Sequence, residues 1–141
     1  MPKIEPRVAE FITRHRVARL ATSDAAGVPH VVPVCYAFDG ERVYSALDMK
    51  PKSVDVLRLK RVRNIAENSA VALVIDDYSE DWSTLAYVLI RGDAALLDFG
   101  AEREIGESML RAKYPQYERM LPPGAPVLRV TVESVVSWGA V

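Results

Sequence analysis

Short runs of alternating apolar and polar residues, cut by tight-turn sequences, restrict this chain to an antiparallel β fold. Residues 17–22, 30–38 and 42–47 read as strands of period two, and Asp24-Ala25-Ala26-Gly27 and Asp39-Gly40 between them carry turn chemistry. Further strands are expected at 71–76, 85–97 and 127–137, the last preceded by a turn at Pro122-Pro123-Gly124. Strands joined by such short connections pair antiparallel, because parallel neighbours need a long crossover. A sheet of this size in 141 residues is expected to close into a small barrel, which removes its edges. Gly92, inside the long 85–97 run, marks a bulge or a close approach of another backbone.

Helical spacing interrupts this rhythm in three places. Val8, Phe11, Ile12 and His15 form one stripe over 6–15, and a second helix is expected over about 101–114. Ser53 can cap a helix running to about Asn68, with Val54, Leu57, Arg61 and Ile65 along one face. There is no repeat, linker or low-complexity tract, so residues 1–141 are read as one domain, and half the residues are apolar, enough for a core. The chain has no apolar run long enough to span a bilayer and no secretory segment at Met1-Pro2-Lys3-Ile4-Glu5, so a cytoplasmic protein is expected.

The functional signal is a local charge excess. Lys50, Lys52, Arg58, Lys60, Arg61 and Arg63 stand against one acid, Asp55, in a chain of net charge −1. Lys50-Pro51-Lys52 follows the 42–47 strand, and proline fixes the backbone between two cations, so both can meet one phosphate at reduced ordering cost. The bland alternative is a solvated helix face. Nucleic acid is not the expected ligand, because the chain is not basic overall and the segment has no interleaved aromatic residues.

Other chemistry is sparse. A single cysteine, Cys35, reads as a small buried residue on a strand, and His15 and His30 lack metal-ligand spacing, so no metal is expected. Glycine-rich nucleotide loops, HExxH pairs and GxSxG elbows are absent from the sequence. Asp76-Asp77-Tyr78-Ser79-Glu80-Asp81-Trp82 lacks the regular spacing of a calcium loop. Its Trp82 can cover a flat ligand or pack in the core, and Trp138 invites the same two readings.

The order of Ala18-Arg19-Leu20-Ala21-Thr22, Gly27-Val28-Pro29-His30-Val31-Val32-Pro33-Val34, Val43-Tyr44-Ser45-Ala46, Lys50-Pro51-Lys52 and Arg63-Asn64-Ile65 resembles the pyridoxamine 5′-phosphate oxidase-like superfamily. Asp48-Met49-Lys50-Pro51-Lys52, Glu80-Asp81-Trp82-Ser83 and Arg91-Gly92-Asp93-Ala94 are similar to a mycobacterial and actinobacterial branch of deazaflavin (coenzyme F420)-dependent oxidoreductases. The resemblance implies a mainly β fold, the flavin-binding split β-barrel, an antiparallel Greek-key barrel with flanking helices. It implies a homodimer with the cofactor in a crevice between subunits, no nucleic acid and no membrane. Carried over residue by residue, Val32, Pro33 and Val34 run along the cofactor ring, Tyr44, Ser45 and Ala46 make the next strand's contacts, and Lys50 and Lys52 grip the phosphate. A longer stretch before Arg63-Asn64, holding Arg58, Lys60 and Arg61, departs from better-known members and leaves open which cations meet phosphate and which meet the tail.

Flavin mononucleotide (FMN) carries one phosphate monoester, whereas the deazaflavin coenzyme carries a phosphodiester and a tail of carboxylates, so the long cationic segment suits F420 better. The implied reaction is hydride transfer between reduced F420 and a small unsaturated acceptor. FMN-dependent chemistry on the same fold, or a non-catalytic carrier of the cofactor, are the alternatives. Tyr36, Tyr87, His30 and water are the candidate proton donors.

Overall fold

The two outermost strands of the sheet are neighbours in the chain, and this dictates the shape of the molecule. The computed structural model describes residues 2–47 and 59–141. After helix α1 (Pro6–Arg14) come β1 (Ala18–Ser23), β2 (Pro29–Val34), β3 (Ala37–Phe38) and β4 (Arg42–Ala46). Helix α2 (Lys60–Glu67), β5 (Ala70–Asp77), a 3-10 turn (Trp82–Thr84), β6 (Ala86–Leu97), α3 (Ala101–Lys113), the short α4 (Tyr117–Met120) and β7 (Val127–Gly139) follow. The strand order is β2-β1-β5-β6-β7-β4-β3, and the paired strands are antiparallel.

A flat sheet in this order would hold β2 and β3 about 29 Å apart, six spacings of about 4.8 Å. Only Cys35 and Tyr36 separate them in the chain, a reach of about 11 Å between flanking Cα atoms. The sheet therefore curls until its ends meet at the Cys35-Tyr36 link, giving the split-barrel architecture. The expected single strand over 30–38 is broken at that link because the Tyr36 N–H leaves the ladder and donates to Tyr114 Oη at 3.0 Å.

Inward-facing Leu20, Val43, Leu73, Ile75, Val88, Ile90, Leu128 and Val130 fill the barrel. Val8, Phe11 and Ile12 of α1 and Val62 and Ile65 of α2 join that cluster. A second cluster lies where α3 covers β4 and β7, with Tyr44, Ala46, Leu110, Tyr114, Tyr117 and Val127. The helix expected over 53–68 is corrected in its described part: Leu59 is extended, with φ −61° and ψ 134°, and α2 starts at Lys60. Leu59 packs against the barrel core, and its carbonyl accepts from the Val62 and Arg63 amides, so it caps α2 instead of continuing a helix through it. The buried face is Val62, Asn64 and Ile65; Arg61 is not on it, and Val54 and Leu57 lie outside the described residues.

The connection from α3 to β7 is held by one carboxylate. Glu107 accepts from Arg103 Nη1 at 2.7 Å, Arg111 Nε at 2.9 Å and the Gly124 amide at 3.1 Å. These bonds, Arg103 first, hold its carboxyl below the usual glutamate value. A depressed folded pKa adds stability that is present above the unfolded value and is lost as pH falls through the folded one. Glu107→Gln is expected to cost about 1–2 kcal/mol near neutral pH. The gap in melting temperature from the parent protein should then close on acidification, and a gap independent of pH would refute this role.

Candidate functional site

The sequence around β2 leaves one edge of the sheet open. Pro29 and Pro33 pair with Ser23 and Arg19 of β1. Lacking an N–H, each keeps the ladder intact only where its nitrogen points away from β1. Val31, two residues from both, has the same orientation, so its N–H and C=O face the open edge as one donor and one acceptor side by side. Val32 and His30 point the other way and are half-buried, with Val32 packed against the barrel core. The edge thus offers a flat ligand a two-point hydrogen-bonding contact flanked by prolines, which also discourage pairing with another strand.

Next to this edge, the β1–β2 turn meets α2. Asp24 accepts from the Ala26 and Val28 amides at 2.9 and 3.0 Å and lies 3.6 Å from Lys60 Nζ. The Val28 amide, more than Lys60, keeps the Asp24 carboxyl below its ordinary value. The Lys60 charge is therefore shared with the turn. Arg61 is half-buried and Arg63 exposed. Lys50, Lys52 and Arg58 lie outside the described residues.

Tyr44, Ser45 and Ala46, expected to touch the ring, present almost no side-chain surface. Helix α3 crosses β4 so tightly at Gly106 that a Cβ there would stand 2.9 Å from the Tyr44 ring. Tyr44 Oη donates to Glu102 at 3.1 Å, and burial, the larger cause, pushes its pKa up to about 12. Ser45 Oγ donates to the Cys35 carbonyl at 2.9 Å. Tyr36 is corrected as a proton donor: it is fully buried, its hydroxyl donates to the Ile12 carbonyl, and burial raises its pKa. Cys35, expected to be buried, is a half-buried free thiol packed against the outer cluster. No cluster of metal-ligating side chains occurs among the described residues. Among them no helix is long and apolar enough to cross a membrane.

Pairing across β2, β1, β5 and β6 sets Val31, Ala21, Ala72 and Arg91 side by side. A shallow groove of about 350 Å³ runs there, bordered by Ala21, Ser23, Pro29, Ala70, Ala72 and Arg91. Farther along, Asp76, Tyr87 and Trp138 stand in register on β5, β6 and β7. Arg19 Nη1 donates to Asp76 at 3.0 Å. The Tyr87 and Trp138 rings stack with centroids 5.8 Å apart. The sequence marks both aromatics but not their pairing, because period-two spacing on strands 51 residues apart carries no register. Trp82 is 71% exposed at the 3-10 turn, which Asp81 caps by accepting from the Ser83 amide.

The arrangement suits a flat, anionic cofactor. The open edge of β2 can orient a ring through Val31, and α2 brings Lys60 beside the same turn.

Comparison with known proteins identifies the fold and the family. The chain is 31% identical over 130 residues to the 5a,11a-dehydrotetracycline/5a,11a-dehydrooxytetracycline reductase of Streptomyces rimosus, covering 92% of this chain and 78% of that protein. A conserved hypothetical protein of Mycobacterium tuberculosis superposes with TM-score 0.76 at 20% identity, over 99% of this chain and 87% of that one. An FAD-binding protein of Mesorhizobium loti superposes with TM-score 0.72 at 18% identity, over 95% and 94%. Residues 4–139 match the family model described as pyridoxamine 5′-phosphate oxidase, and the chain belongs to that family.

Proposed function

We propose that this protein is an oxidoreductase that uses a deazaflavin cofactor, F420, to reduce an unsaturated organic acceptor. The observation that carries the reading is the cationic stretch from Lys50 to Arg63, which joins β4 to α2 within a family of flavin-type enzymes. The reductase relative supports a hydride-transferring activity, and the FAD-binding neighbour supports a flavin-like ring on this fold.

When bound, the reduced cofactor supplies a hydride. The chain binds and orients it. Val31 offers its N–H and C=O to the polar edge of the ring, with Val32, Pro33 and Val34 along it. Lys50 and Lys52 hold the phosphate, and Arg58, Lys60 and Arg61 meet the carboxylates of the tail through charge-assisted hydrogen bonds. Lys60 can do so by turning from Asp24, since an exposed ion pair is worth only about 0–1 kcal/mol. Trp82 covers the ring and excludes water. The proton that completes reduction comes from His30, from Tyr87 or from water. A second copy of the chain packs on the small-residue face of Ala21, Ala70 and Ala72, so the active form is a homodimer.

Titration of the purified protein with F420 and with FMN at matched salt tests this reading. F420 is expected to bind more tightly, with affinity falling steeply as salt rises. A protein that is yellow as isolated and prefers FMN would replace F420 with FMN. Binding without cofactor reoxidation across a panel of unsaturated acceptors would make the protein a carrier.

A further inference from the structure

We propose that His15 is a proton-operated latch: its charged ring fastens the end of α1 to β5, and loss of one proton loosens that end beside the Cys35-Tyr36 link. The latch works in the same way whichever cofactor binds. His15 is the C-cap of α1, and both of its ring nitrogens stand against oxygen atoms. Nδ1 lies 2.7 Å from the Phe11 carbonyl oxygen, one turn back in the helix, and Nε2 lies 2.6 Å from Asp77 Oδ1 at the end of β5. A carbonyl and a carboxylate only accept. The imidazolium donates to both, whereas either neutral tautomer has a single N–H and turns its other lone pair on an oxygen.

The surroundings favour the charged ring. The C-terminus of a helix carries partial negative charge, and His15 stands at it. Its ring stacks on Phe11 with centroids 3.9 Å apart, which places a cation over a π face. Three cations oppose this: Arg14, whose guanidinium lies 5.1 Å from the same Phe11 ring, exposed Arg16, and Lys113 of α3, whose Nζ donates to the His15 carbonyl at 2.6 Å. Of these charged groups only Asp77 is hydrogen-bonded to the ring, so its attraction is the largest of the four. The latch reaches the sheet through the next carbonyl of the helix. Ile12 accepts from the Tyr36 hydroxyl, so one turn of α1 holds both His15 and the anchor of the Cys35-Tyr36 link. With a neutral ring, repulsion at Phe11 or at Asp77 loosens that turn under Tyr36.

A fold that holds the charged ring better than water does gains stability below the histidine range and loses it as pH rises through that range. Urea unfolding of the parent and of His15→Gln is compared at about pH 5.5 and about pH 8. Glutamine donates to one of the two oxygens at either pH, so the ratio of folding constants, parent over variant, is expected to fall about tenfold from the lower pH to the higher. Other titrating groups, Glu107 among them, are common to both proteins and cancel. A ratio that does not change with pH would overturn the proposal. At about pH 5.5, nitrogen NMR of the labelled parent is expected to show hydrogen on both His15 ring nitrogens, and a bare nitrogen there would overturn it without recourse to a variant. Exchange of the Tyr36 amide, which is bonded to Tyr114 Oη, is expected to quicken beyond its intrinsic rate at the higher pH in the parent alone. Equal protection at both pH values would overturn the coupling to the link.

Discussion

Gly92→Ala is expected to lower stability by about 3 kcal/mol, or about 10 °C in melting temperature. At this position β6 and β7 change register: Arg91 faces Ser134 while Gly92 faces Val132, so Glu133 is the extra residue of a bulge. A Cβ on Gly92 would stand 2.3 Å from the Thr131 carbonyl oxygen and 2.7 Å from Val130 Cγ1. The first neighbour is backbone in the longest ladder of the sheet and cannot rotate away. Relief requires moving β7, which carries Leu128, Val130 and Val132 into the barrel core. Thermal unfolding of the variant checks this, and a melting temperature equal to that of the parent would show that the bulge absorbs the methyl group. Secondary structure and family membership would survive a folded variant, so the readout is stability rather than activity.

The second large effect belongs to the cofactor. On the proposed reading, replacing Lys50 and Lys52 together with alanine is expected to weaken F420 binding about a hundredfold, because each would remove a charge-assisted contact to a phosphate. The salt dependence of binding should flatten in the same variant, while thermal stability stays within about 0.5 kcal/mol. Titration by F420 absorbance at several salt concentrations measures both. Unchanged affinity would move the anion site to Lys60 and Arg61 of α2.

Much of the fold was legible because its signals are local. The stripe of Val8, Phe11 and Ile12 located α1, the turn at Asp24 to Gly27 separated β1 from β2, and Gly92 announced the bulge. Gly27, at φ +81°, supplies the left-handed geometry that the turn requires. What the sequence hid is non-local. Nothing near Tyr44 or Ala46 says that α3, about sixty residues later, will cover them. The pairing of Arg19 with Asp76 joins residues 57 apart, and only strand register reveals it. Leu59 falls within the helix expected over 53–68, and the pull of the barrel core on its side chain is a tertiary effect that outweighs helix propensity. The charge excess, by contrast, is a property of composition and needed no structure.

The Cys35-Tyr36 link makes the two lips of the barrel wall into a clasp hinged at one end. Tyr36 anchors that hinge from both sides, through the Ile12 carbonyl of α1 and the hydroxyl of Tyr114, the residue that caps α3. At the other end of β2 the preceding turn is tied to α2, where the Ala25 amide donates to Glu67 at 3.1 Å and Lys60 lies 3.6 Å from Asp24. The open edge of β2 is therefore pinned at both ends, by the Tyr36 hinge and by the turn held on α2, so on the proposed reading a ring placed along Val31 lies in a seam of fixed width.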